Sequence, residues 1–453
     1  MRNEGTARLL GLLSVILGGV IFVISGFALE RGSPNGACDF EPVYYHARFL
    51  VQHQDPYTES RDKYSQLKSG GFLNPKSILY AGAGQIPCVY PPTALLLAAP
   101  LAFLTWYPAH LIWMALIALG LLLPSFVVWK VSAQHAPLLS GILIGFFLAN
   151  SATVLFQANA AGIAVGACVV AVACIFRKRF GFAAIACLTI AFCMKPHDAY
   201  LIWVYLILAG GSYRRRALQA LLLTCAVAAI AIAWISSVSP NWRQEMAANI
   251  AQISSRGGVN DPGPDTATPL IINSAVNLQT VFAVIDDEPV FYNTTTYLLC
   301  GVLLIVWTLA TIRQPASEER SWLAMAVVSA MTLLPIYHRY HDSKLLLLAV
   351  PASAILWMQR RSAGRACVLV TLVALALTGD IPHALLARIG EGHVYSATST
   401  LGKLQMISFE RPAPIALLIT TCFFLWIYVR AGSQSMGASV SDGSEAIVAQ
   451  NSV

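Results

Sequence analysis

The chain has 453 residues, of which 57% are hydrophobic and only 11% charged, with a formal net charge of +7. Soluble domains carry about 25% charged residues, so the composition excludes an ordinary soluble protein, and the mean hydropathy of +0.64 points to a membrane. The basic excess lies in short clusters between apolar runs, Arg177-Lys178-Arg179, Arg214-Arg215-Arg216 and Arg360-Arg361 with Arg365; such clusters mark cytoplasmic loops, which explains the charge and argues against nucleic acid as a partner.

The first apolar run covers about 9–29, behind Arg2 and Arg8. At about 20 residues it is longer than a signal-peptide core and reads as an uncleaved span leaving the cytoplasm. The loop over about 30–89 then lies outside. It opens with Gly36 to Tyr57, which holds Asp39, Glu41, His46, Arg48, His53 and Asp55 among five aromatic residues. Its later part, Tyr64 to Gln85, is rich in Gly, Ser and Lys and reads as a mobile flap. Cys38 and Cys88 stand at the two ends of the loop; in an oxidising compartment they could pair, or both could stay free.

Tyr90-Pro91-Pro92 starts the next helix, since proline fits a first helical turn. Four apolar runs follow before Arg177, yet the charge pattern requires an odd number of crossings. The run over about 93–104 is the shortest and is expected not to cross. Runs over about 180–194 and 198–211 meet at an outer turn, Lys195-Pro196-His197-Asp198. A run over about 217–236 leads to a second outer loop, 237–296, and runs over about 297–312 and 321–336 lead to Tyr337-His338-Arg339-Tyr340-His341-Asp342. Two further runs, a third outer loop over about 380–412 and a last span complete the pattern. The expectation is an all-α polytopic protein of about 12 crossings. One transmembrane domain covers 1–430, and a Ser/Gly-rich cytoplasmic tail at 431–453 is read as disordered. Both termini lie inside, and Asp39, Lys195, His338 and His341 all lie outside.

Ionisable groups at a membrane boundary are functional candidates. Asp39 fits a general base, which takes a proton from an acceptor hydroxyl while a phosphate leaves unaided; its competing role is a helix N-cap. Asp39 with Glu41 could hold a divalent metal, but two carboxylates are a thin set and metal is not favoured. Lys195 fits a point charge on a phosphate, or a snorkelling interfacial lysine. His338 and His341 would share a face if the helix continued, and Arg339 or His338 could bind phosphate; interfacial anchoring is the alternative. Gln157 and Asn159 could bond sugar hydroxyls, although polar contacts between helices explain them as well. Asn273, Asn277 and Gln279 are weaker sugar-contact candidates, and Tyr90 joins the set through its motif.

The ordered series Asp39, Asp55-Pro56-Tyr57, Tyr90-Pro91-Pro92, Pro100-Leu101, Gln157-x-Asn159, Lys195-Pro196 and the triplet at 214–216 resembles glycosyltransferase family 87. That resemblance covers roughly 30–430. It implies a GT-C-type fold with large periplasmic loops, in the inner membrane of a bacterium. It implies a mannosyltransferase-like activity that moves a sugar, with inversion, from a polyprenyl-phosphate donor to a lipid or glycan acceptor without a cofactor. It also implies Asp39 as base and His338 or His341 as an essential polar residue. The family often shows Ser-Pro-x-Ser-Trp before its histidines where this chain has Leu334-Pro335-Ile336-Tyr337, which leaves the sugar open. Two rivals stand beside this reading. A secondary transporter would place its polar site at the midplane between repeats. A lipid-linked glycan ligase would take a whole glycan from a diphosphate lipid.

Overall fold

A computed structural model describes residues 2–58, 61–77, 86–264, 274–359, 361–381, 384–385 and 398–450. Residues 59–60, 78–85, 265–273, 382–383 and 386–397, in the segments expected from the sequence to be outer loops, lie outside the described residues, Asn273 among them.

Among these residues the fold is helical throughout. The elements are α1 (Arg2–Gly32), α2 (Phe40–Val51), α3 (Arg61–Ser69), α4 (Pro92–Ala102), α5 (Trp106–Ser132), α6 (Pro137–Ala149) and α7 (Ala152–Phe156). They continue with α8 (Ala161–Phe176), α9 (Gly181–Met194), α10 (Pro196–Ala209), α11 (Gly211–Val238), α12 (Trp242–Ser254), α13 (Gln279–Ile285), α14 (Pro289–Ile312) and α15 (Glu318–Met331). A 3₁₀ turn (Asp342–Leu348) runs into α16 (Ala349–Gln359), and α17 (Arg361–Leu377), α18 (Thr400–Gln405) and α19 (Pro412–Gln450) follow.

Among the described residues, six helical stretches are long and apolar enough to cross a membrane: Glu4–Gly32, Trp106–Ser132, Pro137–Phe156, Gly211–Val238, Pro289–Ile312 and Pro412–Ala431. Their outward faces carry large exposed apolar side chains, among them Leu17, Ile24, Leu119, Leu222, Ile230 and Leu298. Patches of that size need an apolar surrounding, and lipid supplies it. Four helices of 10–17 residues, including α4, α8 and α9, are equally apolar but shorter. At 11 residues α4 is about 16 Å long, too short to cross a hydrocarbon core of about 30 Å alone. The backbone of α19 continues as helix to Gln450 through the segment expected to be a disordered tail; extending an existing helix is far cheaper than nucleating one.

Two glycine pairs let helix backbones touch. Gly141 and Gly145 of α6, spaced i and i+4, lie on Gly11 and Ser14 of α1; a side chain there would run into that backbone. On α8, Gly162 and Gly166 repeat the spacing. A Cβ on Gly166 would meet the Gly120 carbonyl of α5, and one on Gly120 would meet the Gly162 carbonyl. Without a hydrophobic force between helices in lipid, such close packing holds a membrane bundle together.

The second outer loop is shorter than the sequence suggested. Helix α12 sits inside it, and α14 begins at Pro289, which occupies a first helical turn. Residues 332–341 form no helix. They run beside 274–278, with backbone bonds Val276 N to His338 O (3.0 Å), Leu278 N to Leu334 O (3.0 Å) and Tyr340 N to Ser274 O (3.0 Å).

Candidate active site

A cavity of about 490 Å³ is lined by Asp39, Tyr90, Asn159, Lys195, Arg339 and His341, with His197, Tyr337 and Asp342 among its other walls. These nine come from five separate stretches of chain, each placed at a break in a helix.

Asp39 precedes the first turn of α2. Its side chain makes no capping bond to that helix. Instead Oδ2 accepts from Asn159 Nδ2 at 2.7 Å, and Oδ1 faces the Cys38 thiol at 3.9 Å. The main chain is fixed as well, by Asp39 N donating to Gln157 O (2.9 Å) and Tyr90 OH donating to Asp39 O (3.3 Å). Two alanines bend the chain to allow this, Ala37 at φ 63° and Ala158 at φ 54°. The left-handed region costs a residue with a Cβ on the order of 1–2 kcal/mol, and both such residues lie within two positions of the Asp39–Asn159 pair. Strain of this kind gathers at functional sites.

Glu41, two residues on, goes elsewhere. It is buried, with Oε1 accepting from Asn74 Nδ2 (2.6 Å) and Oε2 from Ser77 Oγ (2.7 Å). Burial pushes its carboxyl up to about 7 despite those two bonds. Both Glu41 oxygens are committed to the loop and away from Asp39, so the pair is not arranged as a shared metal site.

Lys195 stands at the break between α9 and α10, where Pro196 opens the second helix. Its ammonium donates to Asp342 Oδ1 and lies 3.4 Å from Asn159 Oδ1. Burial works against the Lys195 charge, but the carboxylates of Asp342, Asp198 and Asp39 outweigh it and hold the lysine above its usual range. Burial likewise opposes the Asp342 carboxylate, and the Lys195 ammonium holds it well below the usual range. Asp342 Oδ2 also accepts from Arg339 N at 2.9 Å, closing the turn. His341 is buried; desolvation pushes its pKa far down, and Lys195 and Arg339 add to this, so its ring is neutral. Its Nδ1 is 3.3 Å from Gln157 Oε1. Arg339 spends one nitrogen on Val259 O (3.0 Å) and stacks near the Tyr337 ring, while its buried Nε has no partner.

His338 and His341 do not share a face, because α15 ends at Met331 and no helix joins them: Arg339 makes an isolated bridge to Ala275 and the chain then turns. His341 faces the cavity; His338 is fully buried against Asp198 and His197. Asn277 and Gln279 are not on the cavity wall. They bond to each other (2.6 Å), and Gln279 Nε2 donates to Pro335 O (2.9 Å), so they brace the 332–341 segment. Gln157 acts mainly through its backbone carbonyl and His341. Cys38 and Cys88 form no disulfide: Cys38 is exposed beside Asp39, whereas Cys88 is buried in a small cluster with Leu50, Tyr57 and Trp242.

Sequence reasoning missed α12. Met246, Ile250 and Ile253 line the cavity from one face of it, at i, i+4 and i+7. Asn249 pins the helix over the first outer loop, donating to Tyr57 O (3.1 Å) and Cys88 O (3.0 Å). The apolar spacing was present in the sequence, inside a segment whose Gly, Pro and Asn content read as loop.

No family model matches the chain, and no curated protein or solved structure matches it.

Proposed function

We propose that this membrane protein is a glycosyltransferase that moves a sugar, mannose in the first instance, from a polyprenyl-phosphate donor to a hydroxyl of a lipid or glycan acceptor. One observation carries the reading: a single cavity joins a half-buried carboxylate, half-buried cations and an apolar helix face. Each answers one need of the reaction. Asp39, oriented by Asn159, takes the proton of the acceptor hydroxyl through its less committed Oδ1. Arg339, with Nε unpartnered, supplies N–H donors to the leaving phosphate, since guanidinium suits phosphate oxygens. Lys195 is already neutralised by Asp342, so its contribution is field and position rather than a free charge. Met246, Ile250 and Ile253 offer an apolar wall to the first isoprene units. His341, neutral and hydrogen-bonded to Gln157, orients an acceptor or sugar hydroxyl.

The new acetal bond forms as the acceptor oxygen attacks the anomeric carbon in line with the departing phosphate, which inverts that centre. The acceptor proton passes to Asp39 and the phosphate leaves with the bonding pair. In this reading the cavity opens to the outer face of the bacterial inner membrane, in a GT-C-type bundle of about 12 crossings with cytoplasmic termini. The test is transfer from polyprenyl-phosphate-mannose in membranes, wild type against Asp39→Asn at matched expression. Product that disappears in the variant supports the proposal. Equal activity in both would remove Asp39 from the mechanism, and exchange of the sugar on the donor resolves specificity.

A further inference from the structure

Beside the cavity lies a second cluster that this chemistry does not use. His197 and Asp198, in the first turn of α10, meet His338 from the non-helical 332–341 segment. Their ligand atoms all lie within 4.8 Å of one another. Asp198 and His338 have no solvent exposure, and His197, half-buried, also lines the cavity.

The hydrogen bonding of this cluster is incomplete. Both oxygens of Asp198 and Nε2 of His338 are buried without a hydrogen-bond partner. A buried carboxylate with nothing bound to it is among the costlier arrangements in a protein. His338 Nδ1 lies 3.0 Å from Ile336 O. A carbonyl only accepts, so Nδ1 carries a proton and is held by Ile336, and Nε2 is the ring nitrogen that faces Asp198. Nε2 and Asp198 Oδ1 are 3.5 Å apart. That is close to the roughly 3.4 Å that separates two ligands sharing one tetrahedral ion at about 2.1 Å from each. A ring nitrogen donated to a backbone carbonyl is also how metal-binding histidines are held in orientation. The surrounding charge points the same way. Asp198 and Asp342 both act on His197, with Lys195 opposing them.

We infer that His197, Asp198 and His338 bind a divalent first-row metal ion of the zinc type. Two imidazoles and one carboxylate are a set that zinc and its neighbours accept, with a further position left for water or another ligand. The ion would tie the start of α10 to the 332–341 segment, the two elements that bring Lys195 and Asp342 together. The inference does not depend on sugar transfer.

The test uses tag-free full-length protein in detergent, stripped with chelator and titrated with Zn²⁺ alone, with Co²⁺ as an optical probe. The expected result is about one Zn²⁺ per chain, a higher thermal midpoint on loading, and Co²⁺ absorption bands of a low-coordinate N/O site. Asp198→Asn and His338→Gln should lose all three, and Glu41→Gln and Asp39→Asn should keep them, so failure here is separate from failure of the transfer assay. Stripped wild type that takes up no Zn²⁺, or uptake equal in wild type and Asp198→Asn, overturns the site. If the buried variants do not fold, His197→Ala decides: affinity lowered at least about 10-fold supports the site, and unchanged affinity overturns it.

Discussion

The helical body and the outer layer around the cavity are built on opposite rules. In the body, backbones approach through Gly141 and Gly145 on α1 and through Gly162 and Gly166 on α5, and buried side chains that are polar mostly bond their own helix, as Ser140, Ser151, Thr332 and Thr420 do. In the outer layer the chain is broken at Ala37, Ala158, Lys195 and 332–341, and polar side chains reach across the sequence: Asn159 to Asp39, Lys195 to Asp342, His341 to Gln157. The contrast teaches where to look for each property. Changes in the body should act on folding alone, and changes in the outer layer on chemistry, with the ion pair acting on both.

The largest effect should come from Asp39→Asn. It keeps the shape and removes the base, so transfer should fall by about 10²- to 10⁴-fold while the thermal midpoint stays near wild type. A variant that unfolded instead would place Asp39 with the structural groups and erase the distinction between the layers.

Next is Lys195→Met, which leaves the Asp342 carboxylate buried with its side chain only 3% exposed and its main counter-charge gone. Removing one partner of a buried pair costs about 3–5 kcal/mol. The double variant Lys195→Met/Asp342→Asn should recover much of that in denaturation or thermal melts, although not the transfer activity. A double variant as unstable as the single would show that the two charges are not coupled as the geometry requires.

The body answers with Gly166→Leu. The new side chain meets the Gly120 carbonyl of α5, which is backbone and cannot swing away. Overpacking of this kind costs about 3 kcal/mol or more, so folded yield and melting temperature should fall. The transfer rate per folded molecule should not. A selective loss of activity would mean that α8 transmits its position to Asn159.

How much of this was legible beforehand divides along the same line. Membrane character, the break at Lys195-Pro196 and the prominence of Asp39 followed from composition, proline position and ionisable groups at span ends. The glycine contacts were not read, because a single glycine in an apolar run carries no partner's name. His338 and His341 would share a helical face only if the helix continued, and the backbone pairing of 332–341 with 274–278, a contact between segments about 60 residues apart, ends that condition. Asn277 and Gln279 looked like free polar groups, although their partners, each other and Pro335 O, are supplied by that same pairing. Local chemistry is visible in sequence; which polar group meets which across a break is set by tertiary structure.

The smallest expected effect is a pH dependence that separates Glu41 from Asp39. Burial raises the Glu41 carboxyl from 4.5 to about 7 in the folded protein. A folded pKa above the unfolded one means that the folded state binds the proton more tightly. The stabilisation from protonated Glu41 is therefore fully present below the unfolded value and is lost as pH rises through about 7. Linkage puts the change at roughly 2 kcal/mol between about pH 5 and pH 7.5. Thermal melts across that window should show wild type losing stability with rising pH and Glu41→Gln following a flatter curve, since glutamine holds no proton to lose. The two curves should converge on the acid side and separate toward neutral pH, with the variant above. Parallel curves would mean that Asn74 and Ser77 stabilise the charged form enough to cancel burial.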